Sequence, residues 1–511
     1  MMEALTPGRR PAWLVNLFAL LLVLASSGLL IYFCRSGPPT RTSLGIIIAI
    51  LLLTPALINW RFGWPIFYIY FPFATLIRRV YLLYQPLTGS GNDPLIILPD
   101  ALLGAMVLGY FMTMRLRRPR PELLFEKPLR IAIVLMIGLN VLEIFNPMMG
   151  SVQAGINGVR QFTLWIMMYF LVQEIVTRRE QVNSWLYVLL LVGSVTGLYG
   201  AFQYIYDFPS YDRTWAEQNY VTSQTIGAQM RAFSTFTFTS TFSQYMVISC
   251  AAATGMLRMK GAATFARMLS PFFLACMLLG LAVTFVRSSY LGLLVAWVIG
   301  VIVSGEASAR WKRMLGVMAV AAVLVSVMPK SNGDASTYEE ASTGKLVADR
   351  MLTLTAPGQV GSLSQRTVIW QRVVEWSFIY PAGVGLGAGA SSRFSGNYIV
   401  SATAYTESQV FSMLAELGWP GLILYLFIVF WGMAYALKVY DRLDDPHLRE
   451  LVRVMLMIEV GVTVAGVSGG PVLYTLPGSA FYWAALGMVA AIARMAGLEE
   501  TKLASRPGEA V

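Results

Sequence analysis

Charge is scarce in this sequence. Only 13% of its 511 residues are Asp, Glu, Lys or Arg, where a soluble chain carries about 25%. It has one histidine, His447, and three cysteines, Cys34, Cys250 and Cys276. One histidine excludes a multi-histidine metal centre, and no Cys-x-x-Cys or Cys/His spacing is present to build a zinc site. Cys250 and Cys276 fall inside apolar runs far apart in sequence, so a disulfide is unsupported. The chain lacks a Walker A loop, a Gly-x-Ser-x-Gly elbow and a His-Glu-x-x-His pair, which removes the chemistry those motifs carry. Asp207 and Asp212 bracket Phe-Pro-Ser-Tyr and are not the close acidic pair that a metal-dependent sugar transferase uses. Gly385, Gly387 and Gly389 resemble Gly-x-Gly-x-x-Gly only loosely. They follow a predicted helix rather than a strand, so a Rossmann reading fails. No internal repeat or low-complexity tract is present.

Apolar residues are plentiful, at 56% of the chain. Runs of about 20 residues, the length a helix needs to cross a bilayer, recur throughout. They predict an all-α, polytopic transmembrane bundle of about fourteen spans. The spans fall near 13–33, 43–59, 64–84, 95–113, 130–146, 158–177, 183–205, 239–257, 268–286, 288–304, 313–329, 409–437, 450–467 and 478–494. The first follows Arg9 and Arg10 but is long for a signal peptide, and further spans follow it, so it reads as an uncleaved helix. The net charge of +11 sits in short loops: Arg115 to Arg120, Arg178 with Arg179, Arg258 to Arg267, Arg310 to Arg313, and Lys438 to Arg449. All of these exits fall on one side, which the positive-inside rule makes cytoplasmic, together with both termini. The charge therefore orients the chain in a bacterial inner membrane and does not point to nucleic acid. The expected organisation is 1–329 as an N-terminal bundle of about eleven spans, 330–408 as a large periplasmic loop with short helices, 409–494 as C-terminal helices and 495–511 as a cytoplasmic tail.

Two segments on the opposite side are too long for turns, 206–238 and 330–408. The second holds six basic residues (Lys330, Lys345, Arg350, Arg366, Arg372, Arg393) and six acidic ones (Asp334, Glu339, Glu340, Asp349, Glu375, Glu407), so it is neutral, unlike the cytoplasmic loops. Val368, Ile369, Val373, Val374 and Phe378 predict a short amphipathic helix in it, with Trp370 and Trp376 suited to the interface. Pro381 and the glycines from Gly383 end that helix. Long loops on a rigid scaffold often carry function.

Four residues stand out. Arg287 is the only charged residue between Arg267 and Glu306 and falls where one span turns into the next. It is either an interface arginine reaching for headgroups or a fixed cation facing a cavity. Arg231 precedes a run in which hydroxyls and aromatics alternate, Ala-Phe-Ser-Thr-Phe-Thr-Phe-Thr, which suits sugars and phosphates as well as an aromatic belt. Arg366 opens the amphipathic helix and can equally be a solvated cation. Glu407 stands where the twelfth helix enters the membrane, as a cap in its first turn or as a general base beside the arginines. Glu416, deeper in that helix, is expected to pair with a cation rather than react.

These segments, in this order, resemble the O-antigen ligase / O-antigen polymerase superfamily. Arg231-Ala-Phe-Ser-Thr-Phe is similar to its Arg-x-x-Gly-Thr-Phe element, and Thr284-Phe-Val-Arg-Ser-Ser-Tyr-Leu-Gly to Thr-x-Ser-Arg-x-x-x-Leu-Gly. Arg366-Thr-Val-Ile-Trp through Pro381-Ala-Gly-Val-Gly-Leu-Gly is similar to a stretch of the family's large loop. Ser408 to Gly421, ending Glu-x-Gly-x-x-Gly, is similar to the segment that closes that loop. The likeness covers about residues 225–440. It implies periplasmic glycosyl transfer from a polyprenyl-diphosphate-linked saccharide to a saccharide acceptor, without metal or other cofactor. Chain-length or export proteins are the implied partners, beside the bilayer. Arg231, Arg287 and Arg366 would hold the diphosphate and Glu407 would take the acceptor proton. Arg350, Arg372, Tyr405 and Trp370 are the substrate-binding candidates. Family ligases carry a histidine near the end of the loop, where this chain has Thr406 and Glu407. That departure favours a polymerase over a ligase. The rivals are a lipid-linked oligosaccharide flippase, which the large loop counts against, and a structural partner of an export complex.

Overall fold

The computed structural model describes residues 41–81, 94–114, 125–149, 152–219, 225–226, 229–259, 264–304, 309–316, 361–388 and 406–498. The first expected span, most of the eleventh, much of the 330–408 loop, Cys34, Arg350, Tyr405 and the C-terminal tail lie outside them.

Within the described residues the apolar runs are helices, as the bilayer requires, since backbone N–H and C=O groups without water must be satisfied within their own segment. In chain order these are α1 Arg41–Ile58, α2 Gly63–Val80, α3 Leu98–Met114, α4 Lys127–Leu142, α5 Val152–Ile175, α6 Arg179–Ile205, α7 Ser210–Asn219, α8 Thr239–Arg258, α9 Thr264–Ala282 and α10 Arg287–Val303. After these come α11 Gly361–Ile379, α12 Gln409–Arg442, α13 Pro446–Ser468 and α14 Gly478–Met495. The described strands are a two-residue pair, Thr225–Ile226 with Gln229–Met230. Among the described residues five helices are long and apolar enough to cross a membrane, Lys127–Phe145 and α6, α12, α13 and α14, and four apolar helices are shorter. This is a multi-pass membrane protein. α8 is long but carries Thr, Ser and Gln side chains that it buries, along with its apolar ones, against other helices.

Two compact units are present. The first contains α1, α2, α3 and, from a distant part of the chain, α7. Tyr70, Ala74, Leu95 and Leu98 form its apolar centre. α7 is fixed to the end of α2 by charge: Arg79 meets Asp212 at 2.7 Å with both side chains fully buried, and Arg78 lies over the Trp215 ring at 5.1 Å. Removing one member of a buried pair leaves the other charge uncompensated. Arg79→Ala is expected to destabilise this unit by about 3–5 kcal/mol, and the double variant Arg79→Ala/Asp212→Ala to recover part of that loss. Thermal unfolding in detergent measures both; equal melting temperatures for wild type and Arg79→Ala would show that the pair contributes nothing.

The second unit is built around α13 and α14, which are buried along most of their length. α8, α10, α12 and α14 pack on α13, and α5 packs on α14. Small residues permit the closest crossings, as between helices in lipid: a Cβ on Gly280 would come within 2.6 Å of the Gly197 Cα, and one on Gly292 within 2.6 Å of the Gly461 carbonyl oxygen. Cys250 and Cys276 are buried free thiols, so no disulfide joins α8 to α9.

Candidate active site

The site begins with a break in α12. Gly418 has φ 64° and ψ −161°, outside the helical region, so the helix runs in two pieces that meet there. Pro420 has no N–H and could not have served the Glu416 carbonyl. The carbonyls freed by the break are satisfied by the glycine loop that follows α11. Val384 N–H donates to the Ala415 oxygen at 2.9 Å and Gly385 N–H to the Glu416 oxygen at 3.0 Å, while Trp419 N–H donates to the Pro381 oxygen at 3.0 Å. The approach needs glycine: a Cβ on Gly418 would come within 2.1 Å of the Pro381 oxygen, and Gly383 and Gly385 adopt φ +87° and +107°. From the other side, Gly158 of α5 lets the Leu386 carbonyl so close that a Cβ there would lie 1.9 Å from it.

Gly383 N–H donates to Tyr380, Ala388 N–H to Gly385, and Gly387 N–H to the Glu416 carboxylate at 2.6 Å. The N–H groups of Gly383, Val384, Gly385, Gly387 and Ala388 are thus all taken by protein acceptors, and this glycine loop is not a phosphate cradle. Glu416 was expected to seek a cation. Its role visible here is to accept from the loop, because the helix ends beside it instead of carrying it deeper into the membrane.

Glu407 lies one residue outside α12, whose N-cap is Ser408. The expectation of a first-turn cap is therefore corrected. Glu407 has φ 50°, a left-handed conformation that costs about 1–3 kcal/mol for a non-glycine residue and that surrounding contacts must hold. Its carbonyl accepts from Gly470 N–H at 3.0 Å, and Ser408 and Gly470 form a parallel bridge. Its carboxylate is ion-paired with Arg366. Arg366 also donates through Nη1 to the Ser468 carbonyl at 2.8 Å.

Arg366 does not open its helix: α11 begins at Gly361, and Arg366 stands one turn inside it, on the face that carries Trp370. The Trp370 indole N–H donates to the Thr406 carbonyl at 2.9 Å, and its ring stacks on Phe411 at 4.8 Å. Trp370 is thus turned toward the protein, and the interface-anchor expectation does not hold for it. Arg372 is on the exposed face, away from this cluster. Arg350 and Tyr405 are outside the described residues.

The turn after α13, Ser468 to Tyr474, is the part that sequence reasoning passed over as a connection. Ser468 holds Arg366, and Gly470 holds Glu407. Gln409 accepts from Leu473 N–H at 2.7 Å. Tyr474 stacks on Phe162 at 4.8 Å and lies beside Glu416, so that burial and then this carboxylate hold its phenol well above the ordinary value. Gly469 packs so closely on Ser288 that a Cβ would lie 2.2 Å from the Ser288 Oγ. That contact brings the start of α10, and with it Arg287, to the same turn. Arg231 is tied in by its neighbour, since Ala232 N–H donates to the Val283 carbonyl at 3.3 Å. The described non-glycine residues at positive φ are Asp207, Ser234, Phe285 and Glu407. Three of these four coincide with or flank the candidate arginines and carboxylate.

The opposite end of this unit is basic. Arg310 pairs with Asp441 at 2.8 Å, Arg494 with Glu126 at 3.0 Å, and Arg442 lies over Phe125 at 4.5 Å. His447 meets Asn183 there at 3.1 Å, at the other end of α13 from Ser468. Among the described residues no three His, Cys, Asp or Glu side chains group closely enough to hold a metal ion.

No curated protein matches the chain. Residues 272–426 match the model of a family described as O-antigen ligase. The match takes in Arg287, Arg366, Glu407 and the Gly418 break but not Arg231. Over that segment, and over that segment alone, the chain is similar to the O-antigen ligase family.

Proposed function

We propose that this protein is a glycosyltransferase of the periplasmic face of a bacterial inner membrane, working as an O-antigen or exopolysaccharide polymerase. It would transfer a saccharide from a polyprenyl diphosphate to a saccharide acceptor. The observation that carries this reading is the Arg366–Glu407 pair at the Ser468 turn, inside the segment that matches the O-antigen ligase family. Its place at the end of the unit opposite the basic cluster supports the periplasmic assignment, since basic ends face the cytoplasm.

In the reaction the acceptor oxygen bonds to the anomeric carbon, the bond from that carbon to the diphosphate oxygen breaks, and polyprenyl diphosphate leaves. A guanidinium carries five N–H donors in a planar fork. The contacts described for Arg366 engage its two Nη groups, and each of these has a second N–H to offer a diphosphate oxygen. Arg287 and Arg231 add cations on neighbouring segments. Preorganised donors of this kind stabilise the charge that builds on the leaving group. Glu407 takes the acceptor proton. Binding of the diphosphate to Arg366 competes with the Arg366–Glu407 pair and frees the Glu407 carboxylate for the acceptor hydroxyl.

The description of the matching family favours a second reading, transfer of a finished glycan to a lipid A-core acceptor. The acceptor decides between the two. Supplied with the lipid-linked repeat unit alone, the purified protein in proteoliposomes is expected to make chains of many repeats. Product that forms only when lipid A-core is added would assign it as a ligase. Because arginines rather than a metal carry the leaving-group charge in this mechanism, EDTA is expected to leave the rate unchanged. Loss of activity on chelation, restored by a divalent ion, would overturn the metal-independent mechanism.

A further inference from the structure

Glu416 is buried, and the proposed mechanism makes no use of it. It sits in the last turn before the Gly418 break, its carboxylate lies beside Tyr474, and both its ends hold the glycine loop. Its carbonyl accepts from Gly385 N–H at 3.0 Å and its carboxylate from Gly387 N–H at 2.6 Å. A single residue therefore grips the glycine loop at two alternate positions. The loop is the direct continuation of α11, which carries Arg366. Glu416 belongs to the leading piece of α12, preceded by Glu407. Where α11 points relative to the start of α12 is fixed at one end by the Arg366–Glu407 pair and at the other by this grip.

Other acceptors could not replace it easily. Gly387 has φ +83°, a conformation that few side chains tolerate. Its N–H faces a buried carboxylate, and a charge-assisted bond is roughly twice as strong as a neutral one. Removing the carboxylate leaves a buried donor unmatched and frees the loop to shift. Misplacement of a reacting group by about 1 Å costs about a hundredfold in rate.

We propose that Glu416 is a positioning residue: its carboxylate locks the glycine loop to the broken helix and so sets the placement of Arg366 against Glu407. The inference rests on the glycosyl-transfer reading for its effect on rate, but the lock can be measured separately. The experiment combines hydrogen exchange of the 381–388 peptide with turnover of the lipid-linked repeat unit, for wild type, Glu416→Gln and Glu416→Leu. Glu416→Leu is expected to raise exchange of that peptide by about tenfold or more, as loss of a hydrogen bond to a charged group implies. It should lower kcat by about a hundredfold with KM nearly unchanged. Glu416→Gln retains an acceptor oxygen without the charge and is expected to restore part of both protection and kcat, which a mere requirement for negative charge would not allow. Should Glu416→Leu fail to accumulate, Gly387→Ala disturbs the same contact from the loop side and should give the same pattern. Unchanged protection in the leucine variant overturns the lock, and raised exchange with wild-type kcat overturns its role in positioning. A wild-type protein that does not turn over the lipid-linked unit removes the glycosyl-transfer reading, and exchange in Glu416→Leu still decides whether the lock exists.

Discussion

Arg366→Ala is expected to lower polymerisation by about a hundred- to a thousandfold, the usual cost of removing one preorganised donor from a developing negative charge. The arginine is partly exposed, at 28% of its side chain, so its loss leaves no large buried void and the protein should accumulate normally. What is lost is directional. Nη1 is held by the Ser468 carbonyl, and Nη2 faces Glu407, which fixes the plane of the guanidinium before substrate arrives. Lysine has neither the plane nor the fork, so Arg366→Lys is expected to restore little. Arg287→Ala and Arg231→Ala should also abolish polymer formation at normal protein levels. Full activity in all three alanine variants would end the diphosphate role. Failure of the proteins to accumulate would assign the arginines to structure instead.

Glu407→Gln is expected to lower turnover by at least about a hundredfold, the scale of general base catalysis, while the lipid-linked substrate still binds. Glutamine keeps the size of the side chain and an acceptor for Arg366 but cannot take a proton. The substitution also leaves the backbone contact to Gly470 in place, so the left-handed conformation at this position should persist. Near-normal turnover in Glu407→Gln would leave the carboxylate as a partner that orients Arg366 and nothing more. Measuring substrate binding beside turnover separates a lost base from a lost site.

The helices were legible in the sequence because each needs only its own apolar run. Observed bounds such as 239–258 and 478–495 lie within a residue of the expected spans. Arg366 and Glu407 were legible as candidates by residue type and order, and their pairing sets the first turns of α11 beside the residue that precedes the α12 cap. Less was visible where structure depends on distant partners. Arg366 meets a carbonyl 102 residues away, and nothing near Ser468 announces that contact except the Gly469-Gly470-Pro471 punctuation that follows it. The Gly418 break was hidden inside a continuous apolar pattern, although Gly-Trp-Pro was its local signal. In the sequence Asp212 stands out only by bracketing Phe-Pro-Ser-Tyr with Asp207. It is buried against Arg79 because α7 folds onto a helix from a remote part of the chain, a tertiary choice that composition does not encode.

The central claim is that this chain catalyses glycosyl transfer from a lipid diphosphate, and purified protein in proteoliposomes tests it directly. Given the lipid-linked repeat unit as sole substrate, wild type should consume it, lengthen the glycan and release one polyprenyl diphosphate for each bond formed, and Arg366→Ala should do none of these. Movement of the intact lipid-linked saccharide across the bilayer without bond formation, or no consumption at all, would contradict the account.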